Sequence, residues 1–512
     1  MNSESIYKGF EAAKNGTVIP VFQSGRTMES RYNPERDCDN ICEGIKEGSF
    51  FVVCGIGSGI FIKKLSEKYT DAKIIAVEKS SADIDFLMQS ENIKSLSKND
   101  NIFFCSNEKL FEVLTSTYLP AKYGNLQIIE QRGWVNENQK EALELKAILQ
   151  KTVSIISADY SVQSHFGKLW NSNILNNTKL AEKTELVSFS QITQNQLDKT
   201  AVVVAAGPTL DKTLNKIINS DNSNQFYIIA TDTAAQVLVK QKIIPDVIIS
   251  IDGQCVSYNH FVKTFTDEKN HTKDKPVFVF DLCANNSAVR HVYKKNNRLM
   301  FFCSGHPLAA AINSCCNSPL PKLFSGAGTV TISALDFALQ AGFQKILILG
   351  ADFAYTSGKA YTAGTYLDTL YNMTSSRITE SEQTFSKLMY RTELKQVSPA
   401  SKTTQILEAY KFSLEKYLSE NNISFIKEDD VYKLENKNGK KQTNITIPPH
   451  TSNSGILSLK PFMEKFKNSN PKEAEMLLLP YIAWLRNNDR YKLLPYNDLL
   501  KLAFSRIVSY NI

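Results

Sequence analysis

The chain has 512 residues, 42% of them apolar, and a formal charge of +7 at pH 7, a length that predicts about three domains with sizeable cores. The excess charge is spread over many lysines rather than gathered in one arm, so nucleic acid is not implied and an anionic small substrate is suited equally well. No apolar run is long enough to span a membrane, Met1-Asn2-Ser3-Glu4-Ser5 has no basic-then-apolar signal pattern, and the nine cysteines lack CxxC or metal-ligand spacing; a cytoplasmic, reducing setting is expected.

In chain order, residues 1–47 read as mixed and partly helical, with a polar knot at Ser30-Arg31-Tyr32-Asn33-Pro34-Glu35-Arg36. A strand over 50–54 leads into Gly55-Ile56-Gly57-Ser58-Gly59 and a helix to about Tyr69. A second strand over 73–77 ends in Glu78. Glycine turn, helix, strand and terminal acid resemble the nucleoside site of S-adenosylmethionine methyltransferases and other Rossmann domains. The third strand, 101–104, ends in Cys105-Ser106 rather than an acid, and no catalytic Asn/Asp-Pro-Pro-aromatic motif follows. A scaffold that kept the fold and lost the cofactor is preferred over a live methyltransferase. Strand 126–129 and helix 136–149 finish this domain. Asn-rich helical sequence through His165, Trp170, Asn171 and Asn176 reads as a connector, so the first domain is placed at 1–175.

The second domain, 176–450, alternates strands and helices, as parallel sheets do. Strand 201–204 feeds Gly207-Pro208-Thr209, a turn whose free N–H groups before a helix suit a phosphate. Strand 226–230 ends in Thr231-Asp232-Thr233, strand 247–251 in Asp252-Gly253, and strand 277–280 in Asp281. A glycine turn with Gly326, Gly328 and Thr329 opens a helix over 330–341 whose buried face carries Ile332, Leu335, Ala338 and Leu339. Gly342 stops it, and the apolar strand 345–349 delivers Gly350, Asp352, Tyr355, Gly358 and Tyr361. Open parallel sheets bind ligands outside the carboxyl ends of their strands. Several carboxylates there repel one another unless a ligand compensates; N-capping accounts for one or two of them, not all. The polar stretch 366–402 reads as a lid. Helix 405–418 and strand 423–426 return to the sheet, 433–444 looks like an exposed hairpin, and 451–512 is a mostly helical region with Tyr481, Trp484 and Leu485 on one face.

Ala205-Ala206-Gly207-Pro208-Thr209-Leu210, Ala230-Thr231-Asp232-Thr233, the Ile-Pro-Asp-Val-Ile-Ile-Ser-Ile-Asp run at 244–252, Gly350-Ala351-Asp352-Phe353-Ala354-Tyr355 and the 30–36 knot resemble the motility-associated factor (Maf) family. The fold implied is multidomain α/β: a Rossmann-like first domain, a sialyltransferase-like central one and a helical end. Maf proteins are implicated in glycosylating flagellin with pseudaminic or legionaminic acid. The resemblance thus implies a CMP-nonulosonic acid donor, flagellin as acceptor, flagellar motility as the setting, and no required cofactor; a homo-oligomer is compatible with it.

More distantly, the central domain is similar to bacterial CMP-sialic-acid sialyltransferases. Their Gly-Pro-Ser-Leu turn matches Gly207 to Leu210, their donor asparagine falls on Asp232, and their two phosphate-binding tyrosines match Tyr355 and Tyr361. Asp352, Tyr355 and Tyr361 are then the catalytic candidates. Gly207, Pro208, Thr209, Thr231, Asp232, Thr233, Asp252, Gly326, Gly328 and Thr329 are the nucleotide-binding ones. Two departures stand out. Ala206 replaces the asparagine before the turn, and the lid histidine aligns with Ala400. A base must then be a carboxylate such as Glu380, Glu382 or Glu393, or come from elsewhere. The alternatives are a pyrophosphokinase resembling the archaeal hydroxymethyl-dihydropterin enzymes, in which Asp232, Asp252 and Asp352 hold Mg²⁺ on ATP, or a non-catalytic flagellin-binding protein.

Overall fold

The computed structural model describes residues 5–193, 196–219, 221–262, 276–296, 298–316, 319–326, 328–435 and 457–510. It divides into two compact units, Met1–Gly167 with Leu479–Lys501, and Lys168–Leu478 with Leu502–Ile512.

The first unit opens on an antiparallel pair, β1 (Tyr7–Ala12) and β2 (Val18–Phe22). The sequence pattern does not announce this hairpin. A helix, Pro34–Gly44, follows, started by proline at its first position and by Asn33, which accepts the Arg36 N–H. The parallel sheet contains β3 (Phe50–Cys54), β4 (Lys73–Glu78), β5 (Ile102–Ser106) and β6 (Gln127–Glu130) in the order β5-β4-β3-β6. All five residues of β3 are buried, as expected of a central strand covered on both faces. The helix expected at 136–149 and the connector after it are one helix, Gln139–Ala181.

The second unit is built on an eight-stranded sheet. Its strands are β7 (Thr200–Val204), β8 (Phe226–Thr231), β9 (Val247–Ser250), β10 (Val277–Asp281), β11 (Leu299–Phe302) and β12 (Lys345–Leu349), all parallel. Strand β11 is the apolar run that leads to Cys303, whose thiol is buried as its place at a strand end predicts. A three-stranded sheet, β13 (Tyr355–Thr356), β14 (Lys395–Ser398) and β15 (Ser401–Thr403), stands apart, and β16 (Ser424–Glu428) and β17 (Val431–Glu435) extend the main sheet antiparallel. The main order is β11-β10-β9-β8-β7-β12-β17-β16. Strands β8 to β11 therefore lie on one side of β7 and β12 on the other, so the order reverses between β7 and β12. Such a switch point splays the loops at the carboxyl ends and leaves a crevice there.

Helix Val330–Ala341 packs on β7, β8 and β9 with every residue from Thr331 to Leu339 buried. The four apolar positions read from the sequence are half of the reason. The other half is a second cover from Phe189, Leu414, Tyr417 and Leu418, which belong to the same core. Asp336 is tolerated there because Tyr417, Gln340 and the Phe324 N–H all donate to it.

The stretch 366–402 contains helices Tyr366–Thr374 and Ser381–Met389 before β14 and β15. Strands β16 and β17 form a hairpin that turns at Asp429 and Asp430, both at positive φ; the hairpin expected at 433–444 lies, from residue 436 on, outside the described residues. Helices Leu459–Asn468, Glu475–Asn487 and Tyr496–Val508 follow. Among the described residues no helix is long and apolar enough to cross a membrane.

Candidate functional site at the sheet switch point

The turns after β7 and β12 are tied together by backbone. The Ala205 N–H reaches the Leu349 carbonyl at 2.9 Å and the Gly207 N–H the Gly350 carbonyl at 2.8 Å. A Cβ on Gly207 would lie 2.1 Å from Asp352 Oδ2 and 2.4 Å from the Gly350 oxygen, so only glycine fits. Asp352 Oδ2 in turn accepts the Thr209 N–H at 3.0 Å. The amides expected to be free for a phosphate are therefore partnered. Gly207 bonds to Gly350, Thr209 to Asp352, and Pro208 has none to give. The Thr209 hydroxyl is buried close to Asp352 without a hydrogen bond of good geometry. Burial raises the Asp352 pKa; the Thr209 bonds and the Lys427 charge oppose that, and Asp430 adds to it.

Asp232 is 2% exposed and begins helix Asp232–Lys240. Its Oδ1 accepts the Thr233 N–H and hydroxyl, and its Oδ2 the Ser250 hydroxyl at 2.6 Å. Thr231 donates to the Val204 carbonyl. Asp252 accepts the Gln254 N–H at 2.9 Å. Its pKa is raised, first by burial and further by the Asp232 charge, while the Gln254 bond and His260 pull it down. Asp281 holds its own turn through the Cys283 N–H, and burial pushes it up to about 6. No three His, Cys, Asp or Glu side chains among the described residues form a metal-binding group. With Asp232 and Asp352 occupied by protein donors, this carboxylate set does not fit Mg²⁺ on ATP.

The tyrosine loop is staked down on both sides. Asp211, in the first turn of the helix after Thr209, receives the Ala363 N–H, the Thr362 hydroxyl and Lys359. The Thr362 N–H donates to Ala206. On the other side Tyr355 pairs with Lys402, and the Ser357 N–H donates to the Ala400 carbonyl at 2.7 Å. Phe353 and Ser357 sit at φ +50° and +52°, left-handed values that cost a non-glycine residue about 1 kcal/mol or more. Ala400 thus lies beside the short strand that carries Tyr355, but with only a methyl group to offer.

Tyr361 leaves 38% of its surface exposed. Even so, crowding around its hydroxyl raises the pKa, Tyr355, Tyr410 and Asp232 add to this, and Arg391 opposes it. Burial raises Tyr355 too, again against Arg391. Tyr366 is pushed up to about 12 by burial and then by Tyr361, Tyr371, Asp252 and Asp232. Asp232 is felt at both Tyr361 and Tyr366, and Arg391 at both Tyr355 and Tyr361, and the raised phenols keep their protons at neutral pH. His260, 8% exposed, packs edge-to-face on Tyr366 at 4.6 Å between ring centres.

Sequence reasoning missed Asp211, Ser250, His260, Tyr366, Tyr410 and Arg391. For Asp211 the first-turn acid after Gly-Pro-Thr was a usable signal; the others lie on separate elements that only the fold gathers. Glu380, Glu382 and Glu393 are exposed. The turn of Gly326, Gly328 and Thr329 folds on itself through bonds to the Ser325 carbonyl, and Gly326 lies against Ile332 and Ser413. In the first unit, Glu78 is fully buried and accepts the Tyr7 hydroxyl, the Ile56 N–H and the Trp134 indole N–H, each at 2.8 Å. It is not waiting for a ribose.

Residues 172–358 match the family model described as 6-hydroxymethylpterin diphosphokinase MptE-like. Two uncharacterized proteins of Treponema pallidum (strain Nichols) are similar. One is 29% identical over 238 residues, 45% of this chain and 75% of that protein. The other is 31% identical over 150 residues, 29% of this chain and 69% of that protein. Among solved structures, the MAf glycosyltransferase from Magnetospirillum magneticum AMB-1 matches with a TM-score of 0.52 and 12% identity, over 99% of this chain and 92% of that one. The chain therefore belongs to the family of the second Treponema protein, carries an MptE-like region at its centre, and has the Maf glycosyltransferase fold along nearly its whole length.

Proposed function

We propose that this protein is a glycosyltransferase that moves a nonulosonic acid from a CMP-activated donor to serine or threonine hydroxyls of flagellin. The observation that carries this reading is that the Tyr355–Tyr361 loop after β12 is fastened to the turn after β7, through the Thr362 N–H on Ala206 and the Asp211 contacts, at the point where the strand order reverses. The nucleotide would lie across the β7, β8 and β9 ends, on a seat that Asp232 shapes through its bonds to Thr233 and Ser250. When the bond from the anomeric carbon to the phosphate oxygen breaks, its electron pair leaves on CMP. Phenols with raised pKa values remain protonated, so they donate to that phosphate without losing their own protons, and the Arg391 charge favours the same product. An acceptor hydroxyl then bonds to the carbon and releases a proton. His260, neighbour to Tyr366 and Asp252, is the buried imidazole closest in kind to the histidine that Ala400 replaces, and it takes the base role in this proposal. Asp352 acts as the clamp of the glycine turn.

Calorimetric titration with CMP tests the seat. Wild-type protein should bind, and Asp232→Asn, which keeps the buried shape and an acceptor for Ser250, should lose at least tenfold in affinity. Equal binding by both would remove Asp232 from the site.

A further inference from the structure

The glycine turn after β3 sits where nucleotide-binding folds place an anion, and here it is full. Gly55, Gly57 and Gly59 all have positive φ. A Cβ on Gly57 would lie 1.9 Å from Met28 Cε and 2.3 Å from Glu29 Oε1. On Gly55 it would meet Met28 Sδ at 3.0 Å, and on Gly133 the Met28 carbonyl oxygen at 2.2 Å. Met28 and Glu29 thus thread between the turn and the start of helix Arg132–Glu137. Glu29 Oε1 accepts the Ser58 N–H at 2.5 Å, and its Oε2 is buried with no hydrogen-bond partner. A carboxylate on a glycine-turn amide repeats the chemistry by which such turns hold phosphates and carboxylates. The strap that delivers it is fastened at several points. Thr27 bridges to Val21 and donates to the Glu29 carbonyl at 2.8 Å. Arg31 donates to the Gly25 carbonyl and pairs with Glu11. An incoming nucleotide would have to expel Met28 and Glu29, and would still find both oxygens of Glu78 taken.

We propose that Glu29 is the resident ligand of this turn: the seat is a carboxylate site filled by the chain itself, and the first unit binds neither a methyl donor nor a dinucleotide. Because the ligand is covalently attached, its local concentration exceeds that of any free competitor. The fold's anion site is converted into an internal fastening that orders the polar knot at 30–36.

The test uses the full chain, followed by thermal melts. S-adenosylmethionine and NAD should leave the wild-type melting temperature unchanged. Glu29→Ala should lower the transition of the first unit by about 5 °C, the scale expected for one lost charge-assisted contact in a unit of this size. Sodium acetate, compared with sodium chloride at equal ionic strength, should raise the melting temperature of Glu29→Ala and not that of wild type. Stabilisation of wild type by S-adenosylmethionine or NAD, an unshifted Glu29→Ala melt, or an equal acetate effect on both proteins would overturn the proposal. Should Glu29→Ala fail to fold, amide hydrogen exchange on wild type decides. The Ser58 amide should exchange as slowly as those of β4, and exchange at an open-loop rate would overturn it.

Discussion

Replacing Glu78 by glutamine should change how stability depends on pH, in a direction and size that follow from its surroundings. Glu78 is fully buried at the end of β4 and accepts three hydrogen bonds of 2.8 Å and a longer one, 3.4 Å, from the Lys79 N–H. Each bond favours the carboxylate, but burial outweighs them and pushes the pKa from 4.5 to about 7. A difference of about 2.5 pKa units corresponds to roughly 3 kcal/mol. Below pH 4.5 the carboxyl is protonated in both folded and unfolded chains, and this contribution is fully present. As pH rises, the unfolded chain gives up the proton first while the folded one keeps it, so stability is lost until the folded carboxyl ionises near pH 7. Glutamine cannot titrate. The stability of wild type relative to Glu78→Gln should therefore fall by about 3 kcal/mol between pH 4.5 and 7.5, equivalent to about 6–12 °C in melting temperature for a unit of this size. Trp134, which donates to Glu78, supplies the fluorescence signal for urea titrations at each pH. Parallel pH profiles for the two proteins would show that Glu78 ionises normally and that the burial argument is wrong.

Four further outcomes follow. Tyr355→Phe and Tyr361→Phe should each lower kcat about 10²–10³-fold with little change in donor KM, read by steady-state kinetics, since removing a preorganised donor to a developing charge costs about that much. Asp211→Ala releases the Thr362, Ala363 and Lys359 contacts and should lower kcat about tenfold while the melting curve moves only slightly, because Asp211 is partly exposed. His260→Ala should abolish transfer while preserving CMP binding, and added imidazole should restore part of the rate; full activity would return the base to another group. Gly207→Ala forces a methyl onto Asp352 and the Gly350 carbonyl, and should lower both melting temperature and CMP affinity.

The parallel strands were readable because β3, β7, β8, β9, β10 and β12 are continuous apolar runs that end in glycine, serine, threonine or acid, the pattern that double-sided burial imposes. The hairpin β1–β2 was not, since β1 does not alternate between buried and exposed positions and β2 is a short run interrupted by Pro20. Strand β11, Leu299–Phe302, is legible as the short apolar run before Cys303, although four residues do not reveal its edge position in the sheet. The Asn-rich segment looked like a connector because asparagine is usually solvated. Yet Asn173 donates to the Gly253 and Cys283 carbonyls, and Asn177 to those of Leu282 and Ala284, thereby fixing the loops after β9 and β10. At the site, single residues on single strands were legible. The Asp352–Thr209 bond, the Asp211 stake and the His260–Tyr366 contact join residues 106 to 152 positions apart, and no local pattern encodes such pairings.

The most direct measurement is the intact mass of flagellin after incubation with CMP-nonulosonic acid and the full chain, with CMP release followed in the same tube. Transfer at this crevice requires wild-type protein to add whole nonulosonic acid residues to flagellin, one CMP released for each, and the Tyr355→Phe/Tyr361→Phe double variant to add almost none while still binding CMP. Unmodified flagellin and no CMP release with the wild-type protein, or undiminished transfer by the double variant, would contradict it.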